Sequence, residues 1–194
     1  MTGNIKKHPY LHPYDQCTLD ELAKKYNTDK DSDRGGYVYH YETHFSPLKN
    51  KSIRILELGV REGASLRMWR DYFRNAVEVH GIDIDQRAEE LNNEDGLQVT
   101  IGNLDDENFL YEFIEKTPKF DIVIDDASHK INDQLISFRN LHKLVSKGGL
   151  YIIEDIEDID STRLLFEELH RSCKIYDMRE QKNRFDNVMV VYEF

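Results

Sequence analysis

Residues 52–73 read "SIRILELGVREGASLRMWRDYF", and the change of character at Gly59 sets the fold class. Before it lies "SIRILELG", a β-rich apolar run; after it, "SLRMWRDYF" carries a helical pattern. The joint, "ELGVREGAS" (57–65), holds Gly59 and Gly63, which let the backbone turn tightly and come close to a ligand. A strand, a glycine turn and a helix in that order open an alternating α/β domain.

The alternation continues towards the C-terminus. "VEVHGIDID" and "GLQVTIGNL" read as strands, "DENFLYEFIEK" as a helix, "KFDIVIDD" as a strand and "INDQLISFRNLHKLV" as a helix. "GGLYIIED" is a strand, "STRLLFEELHRS" a helix, and "CKIYDMRE" and "NVMVVYEF" close with two strands. Seven near-continuous Ile/Val/Leu strands alternating with helices predict a mostly parallel sheet covered on both faces. Ligands then bind outside the carboxyl ends of the strands, where strand order reverses. Residues 52–194 form one domain without an internal linker, and 1–51 an N-terminal arm and helical lid. Within the latter, "TLDELAKKY" has a capping box between Thr18 and Glu21, "VYHYETHFSPL" predicts a short helix, and "HPYLHPY" an extended arm.

Composition bounds the partners. The net charge of −11 over 194 residues argues against a nucleic-acid partner. No window is apolar enough to span a bilayer, and the start lacks a signal-peptide core. Cys17 and Cys173 stand far apart without metal-type spacing, so the expectation is reduced thiols in a cytoplasmic protein with no membrane partner. A homo-oligomer is compatible with the sequence, which does not specify one.

The glycine turn departs from a dinucleotide site. Arg61 stands where a second glycine would admit a pyrophosphate, and Glu57 would repel that anion. Glu57-x-Gly59-x-x-x-Gly63 resembles the first motif of class I S-adenosylmethionine-dependent methyltransferases, whose ligand carries an amine and a sulfonium. Asp83, ending the second strand, suits a ribose diol, with Asp85 as the helix N-cap. Asn103, after the third strand, suits the adenine end. "FDIVIDDASH" (120–129) ends the fourth strand with Asp125, Asp126 and His129, and "IIED" ends the fifth with Glu154 and Asp155. In a class I methyltransferase these strands are parallel neighbours, so Asp126, Glu154 and Asp155 share a rim and repel unless a cation lies between them. Oxygen ligands favour Mg²⁺. Helix capping by Asp125, Asp126 or Ser128, and a solvated acidic face at "EDIEDID", are the plainer alternatives.

"TDK" (28–30), "YETHF" (41–45), "ELGVREGAS", "GIDID", "IDDASH", "SFRNL" (137–141), "GGLYIIED" and "RFDNVMVV" (184–191) together resemble the macrocin and mycinamicin type of macrolide-sugar O-methyltransferase. The resemblance covers roughly residues 18–194 and implies a Rossmann-like class I methyltransferase fold. It implies S-adenosylmethionine and Mg²⁺ as cofactors and a sugar hydroxyl as acceptor. By motif, Asp126, Glu154 and Asp155 match metal ligands and His129 a general base. Glu57, Gly59, Gly63, Asp83, Asn103 and Asp125 fall on the methyl-donor side. Ala127 departs from the usual glycine. His40 or His44, with Tyr37, Tyr39 and Tyr41, would close the mouth or simply pack as an aromatic lid. The competing functions are a methyltransferase of a catechol or other diol, a non-catalytic binder of the same cofactor, and a nicotinamide-dependent oxidoreductase. The last is disfavoured by Arg61 and Glu57.

Overall fold

The computed structural model describes residues 17–169 and 172–194; the His-Pro-Tyr segment lies outside them. Helix α1 (Leu19–Tyr26) begins at Thr18, where the Thr18 hydroxyl accepts from Glu21 N and the Glu21 carboxylate accepts from Thr18 N at 2.8 Å. This reciprocal cap satisfies two helix-end donors, as the sequence predicts. Then come α2 (Val38–Phe45), β1 (Arg54–Leu58), α3 (Ala64–Tyr72), β2 (Glu78–Asp83), a 3₁₀ segment (Gln86–Asn93), β3 (Leu97–Ile101), α4 (Glu107–Lys116) and β4 (Phe120–Asp125). After them come α5 (Ile131–Leu141), β5 (Val145–Ile153), α6 (Ile159–Leu169), β6 (Cys173–Asp177), α7 (Arg179–Lys182) and β7 (Val188–Glu193).

The strands form one seven-stranded sheet in the order β3-β2-β1-β4-β5-β7-β6. Pairings among β1 to β5 are parallel, and β7 runs antiparallel to both β5 and β6. Each face has its own core, as period-2 strands buried on both sides require. On one, Ile55, Val79, Ile122, Ile124 and Ile152 join Leu19, Leu22, Phe45, Trp69 and Phe73 from α1 to α3 and its flank. On the other, Leu56, Val123, Tyr151 and Ile153 join Leu135, Phe138 and Phe166 from α5 and α6. The rings of Phe45 and Trp69 meet edge-on at 5.5 Å, so α2 is built into the core of its face.

Register sets the functional rim. Leu58 pairs with Ile82 and Asp125, and Asp125 pairs with Ile153. The ladder runs one residue further, with Gly59 N donating to Ile82 O (2.8 Å), Asp126 N to Leu58 O (3.0 Å) and Glu154 N to Asp125 O (2.9 Å). Gly59, Asp126 and Glu154 therefore lie in a row where strand order reverses between β1 and β4. Alternation sends Asp125 towards the α5 face and Asp126 and Glu154 towards the α1–α2 face.

Candidate active site

The β1–α3 turn has a left-handed backbone at Gly59 (φ +81°), Arg61 (φ +48°) and Gly63 (φ +79°). A Cβ on Gly59 would lie 2.4 Å from Asp126 O and 2.7 Å from Ala127 Cα. Only glycine lets this turn pass the β4 turn. Gly59→Ala is expected to cost about 2–4 kcal/mol, combining a left-handed alanine with backbone overpacking. A thermal scan should show the midpoint falling by at least about 5 °C; an unchanged midpoint would contradict the close approach. Asp83 braces the turn from the neighbouring strand. Its Oδ2 accepts from Val60 N (2.8 Å) and Arg61 N (2.9 Å), and its Oδ1 from Asp85 N (2.8 Å). Asp85 caps the 3₁₀ segment through Arg87 N.

A cavity of about 740 Å³ opens over this rim, within the usual range for small-ligand sites. Gly59, Asp83, Asn103, Asp125, Asp126 and His129 all line it. Asn103 Oδ1 accepts from Asp105 N at 3.0 Å. Glu57 lies behind the turn, fully buried, with Oε2 accepting from Ser65 Oγ (2.7 Å) and Trp69 Nε1 (3.2 Å). Its Oε1 has no hydrogen-bond partner in the protein, and burial, against the pull of Lys30, pushes the carboxyl up to about 7. Asp125 is similar: burial pushes it up to about 7, and its Oδ2 is unpartnered.

The acidic rim is not bare. Lys30, carried by the loop after α1, is buried with its ammonium 2.5 Å from Asp126 Oδ2, 2.7 Å from Glu154 Oε2 and 3.8 Å from Glu57 Oε1. Tyr41 donates to Glu154 Oε1, and Tyr37 donates to Asp155 Oδ1 at 2.5 Å. Glu154 therefore has both oxygens engaged on the inner side. On the outer side, His129 Nε2 lies 3.1 Å from Asp126 Oδ1 and 3.7 Å from Asp155 Oδ2. Arg184, from the β6–β7 connection, reaches Asp155 Oδ2 at 3.5 Å. His129 (φ +62°) and Asp155 (φ +50°) both have a left-handed backbone, a cost that a well-determined surrounding structure sustains at functional sites. The hydrogen bond with Asp126 raises the His129 pKa above its ordinary value, against burial. Burial would raise Asp126, but Lys30 and His129 outweigh it and hold that carboxyl low.

Residues 56–156 match the family described as "Methyltransferase domain". The chain belongs to this family. Its sheet and flanking helices are those of the class I Rossmann-like methyltransferases. The domain is 36% identical over 146 residues to a demethylmacrocin O-methyltransferase of Streptomyces fradiae, covering 71% of this chain and 36% of that protein. It is 35% identical to a mycinamicin VI 2''-O-methyltransferase of Micromonospora griseorubida, again over 71% of this chain and 36% of the relative. The solved structure of MycE, a methyltransferase from the mycinamycin biosynthetic pathway in complex with Mg, SAH and mycinamycin VI, superposes with a TM-score of 0.73 at 27% identity. That match covers 93% of this chain and 55% of that one. The chain thus spans little more than a third of the curated relatives it matches.

In this methyltransferase domain, the carboxylates expected at a metal do not all converge. Asp126, His129 and Asp155 each offer an atom within 4.8 Å of the others. Glu154 instead points inward to Lys30 and Tyr41. Asp126 and Asp155, from the neighbouring ends of β4 and β5, offer carboxylate oxygens that suit a divalent cation, with the His129 imidazole beside them. Of the aromatic residues expected at the mouth, Tyr37 and Tyr41 reach the acidic rim. His40 stacks on Tyr176 at 4.1 Å, His44 Nε2 lies 2.9 Å from the Tyr176 hydroxyl, and Tyr39 is exposed. Lys30 enters the sequence reading only inside the "TDK" of the resemblance and has no role there, because its chemistry in "NTDKDSDRGGY" does not set it apart from the solvated Lys24 and Lys25 nearby. Among the described residues no helix is long and apolar enough to cross a membrane.

Proposed function

We propose that the protein transfers a methyl group from S-adenosylmethionine to a sugar hydroxyl, with a divalent cation, Mg²⁺ by preference, at the acidic rim. The observation that carries this reading is the convergence of Asp126, His129 and Asp155 beside the cavity that Asp126 and His129 line together with the Gly59 turn. The similar proteins named above, O-methyltransferases of demethylmacrocin and mycinamicin VI and a methyltransferase in complex with Mg, SAH and mycinamycin VI, support it.

S-adenosylmethionine supplies the methyl group, and a bound divalent cation makes a neighbouring hydroxyl easier to deprotonate. The chain's residues do the rest. Asp126 and Asp155 would hold the cation, while Glu154 stands behind them, engaged by Lys30 and Tyr41. Tyr37 and Arg184 fix the orientation of Asp155 through its two oxygens. His129, raised in basicity by Asp126, would take the hydroxyl proton. Gly59 and Gly63 would let the backbone approach the donor, Asp83 would accept from its ribose, Asn103 would meet the adenine end, and the carboxylates of Asp125, with an unpartnered oxygen at the cavity, and of Glu57, buried behind the turn, would favour its cationic portion. Residues 17–51 cover the rim from the α1–α2 side, leaving the acceptor to enter beside His129.

Calorimetric titration with S-adenosylhomocysteine, in Mg²⁺ and again in EDTA, tests the donor pocket. One-site saturable binding in both conditions is expected, followed by Mg²⁺-dependent transfer to members of a panel of glycosylated acceptors. Folded protein that binds in neither condition would remove the donor reading of the Gly59 turn. Glu57→Gln is expected to weaken the same titration by roughly ten- to a hundredfold, as loss of a charge-assisted contact implies.

A further inference from the structure

Among the described residues, Lys30 alone carries positive charge into the buried side of the acidic rim. It comes from neither the sheet nor a helix facing the cavity but from the loop between α1 and α2. That loop is fixed at several points. Thr28 N donates to Ala23 O (3.1 Å), Arg34 clasps Asp31 and Thr28 O, and Asn187 Nδ2, beside β7, donates to Gly35 O (2.9 Å). Val38 N donates to Lys30 O at 3.1 Å, so the backbone of Lys30 itself is tied to the first turn of α2. An ammonium placed so deeply is costly unless paired, and here three carboxylates from β1, β4 and β5 surround it.

We infer that Lys30 is a built-in counter-cation for the acidic rim, balancing Asp126, Glu154 and Glu57 from the inside so that the outer pair, Asp126 and Asp155, takes up a divalent cation reversibly. The inference rests on the metal reading above. Its logic is electrostatic. Without Lys30, buried Glu57 and Glu154 and half-buried Asp126 would face one another with no positive charge among them, and the empty site would repel itself. With Lys30, the site is balanced before the divalent cation arrives, and the fixed ammonium competes with that ion for Asp126 through its Oδ2. Lys30 is thus a positioning residue that acts through the carboxylates and not by touching substrate.

The test compares the full-length chain with Lys30→Met and Lys30→Arg, measuring Mg²⁺ binding by calorimetry and thermal midpoints in EDTA and in Mg²⁺. Lys30→Met is expected to bind Mg²⁺ at least tenfold more tightly than the unaltered protein, to melt lower in EDTA and to regain most of that loss in Mg²⁺. Lys30→Arg, which keeps the charge, should bind Mg²⁺ within about threefold of the unaltered protein. Equal or weaker Mg²⁺ binding in Lys30→Met would overturn the counter-cation role. If Lys30→Met does not fold in EDTA, refolding in millimolar Mg²⁺ should recover it, and equal failure in Mg²⁺ counts against the inference. The unaltered protein separates the two readings. Its failure to bind Mg²⁺ alongside tight binding by Lys30→Met supports the counter-cation. Failure of both removes the metal reading and this one with it.

Discussion

Replacing Asp126 by alanine is expected to lower Mg²⁺-dependent methyl transfer by at least about a thousandfold, close to 4 kcal/mol of barrier, while S-adenosylhomocysteine binding stays within a few-fold. Among the described residues, Asp126 is the rim carboxylate that touches both halves of the site: Oδ1 lies 3.1 Å from His129 Nε2 and Oδ2 lies 2.5 Å from the Lys30 ammonium. Its loss would remove a metal ligand, leave His129 without the partner that raises its basicity, and strip Lys30 of a counter-charge. The donor side has separate supports, because the Gly59 turn is braced by Asp83 and Glu57 is held by Ser65 and Trp69. Breaking a buried ion pair from one side is destabilising, by about 3–5 kcal/mol where the remaining charge stays buried. Asp126→Asn, which keeps the shape and the Asp126 N to Leu58 O bond, is therefore measured beside it. Loss of turnover in both variants with intact cofactor binding meets the prediction. Full activity of either in EDTA would show that the metal role is wrong.

How much of this was legible in the sequence differs between backbone and side chains. Strands announced themselves because a doubly covered parallel sheet needs unbroken runs such as Ile122–Ile124 and Leu150–Ile153, which few other structures tolerate. The Thr18–Glu21 cap was legible for the same kind of reason: its signal is local and its spacing fixed. The 3₁₀ segment Gln86–Asn93 was not, since only Ala88 and Leu91 are buried and no apolar stripe forms. The role of Lys30 was invisible because its partners lie about a hundred residues away, at positions 126 and 154. The inward turn of Glu154 was hidden likewise, depending on Tyr41 and Lys30 and not on "IIED" itself. Backbone conformation at His129 and Asp155 left no mark either, because neither is a glycine and their left-handed φ values follow from packing at the rim.

His129→Ala is expected to reduce kcat by about a hundred- to ten-thousandfold, the usual contribution of a positioned general base, with KM changed much less. The imidazole is held between two carboxylates, so its Nε2 is directed at the common point of the acidic rim rather than at solvent. Asp126 cannot replace it, being held at low pKa by Lys30 and His129; Asp155 is raised by burial against the hydrogen bond from Tyr37, which occupies its Oδ1. Alanine would also forfeit the hydrogen bond to Asp126, at a left-handed position (φ +62°) whose backbone cost His129 already bears. His129→Asn separates the two effects, because asparagine accepts a left-handed backbone readily but cannot take the proton. If the imidazole is the base, both variants lose kcat alike and only the alanine variant melts lower. If the role is architectural, asparagine should restore turnover together with stability. Slow product release could mask a moderate loss in steady-state kcat, so single-turnover rates decide the matter; an unchanged single-turnover rate in His129→Asn would remove His129 as the base.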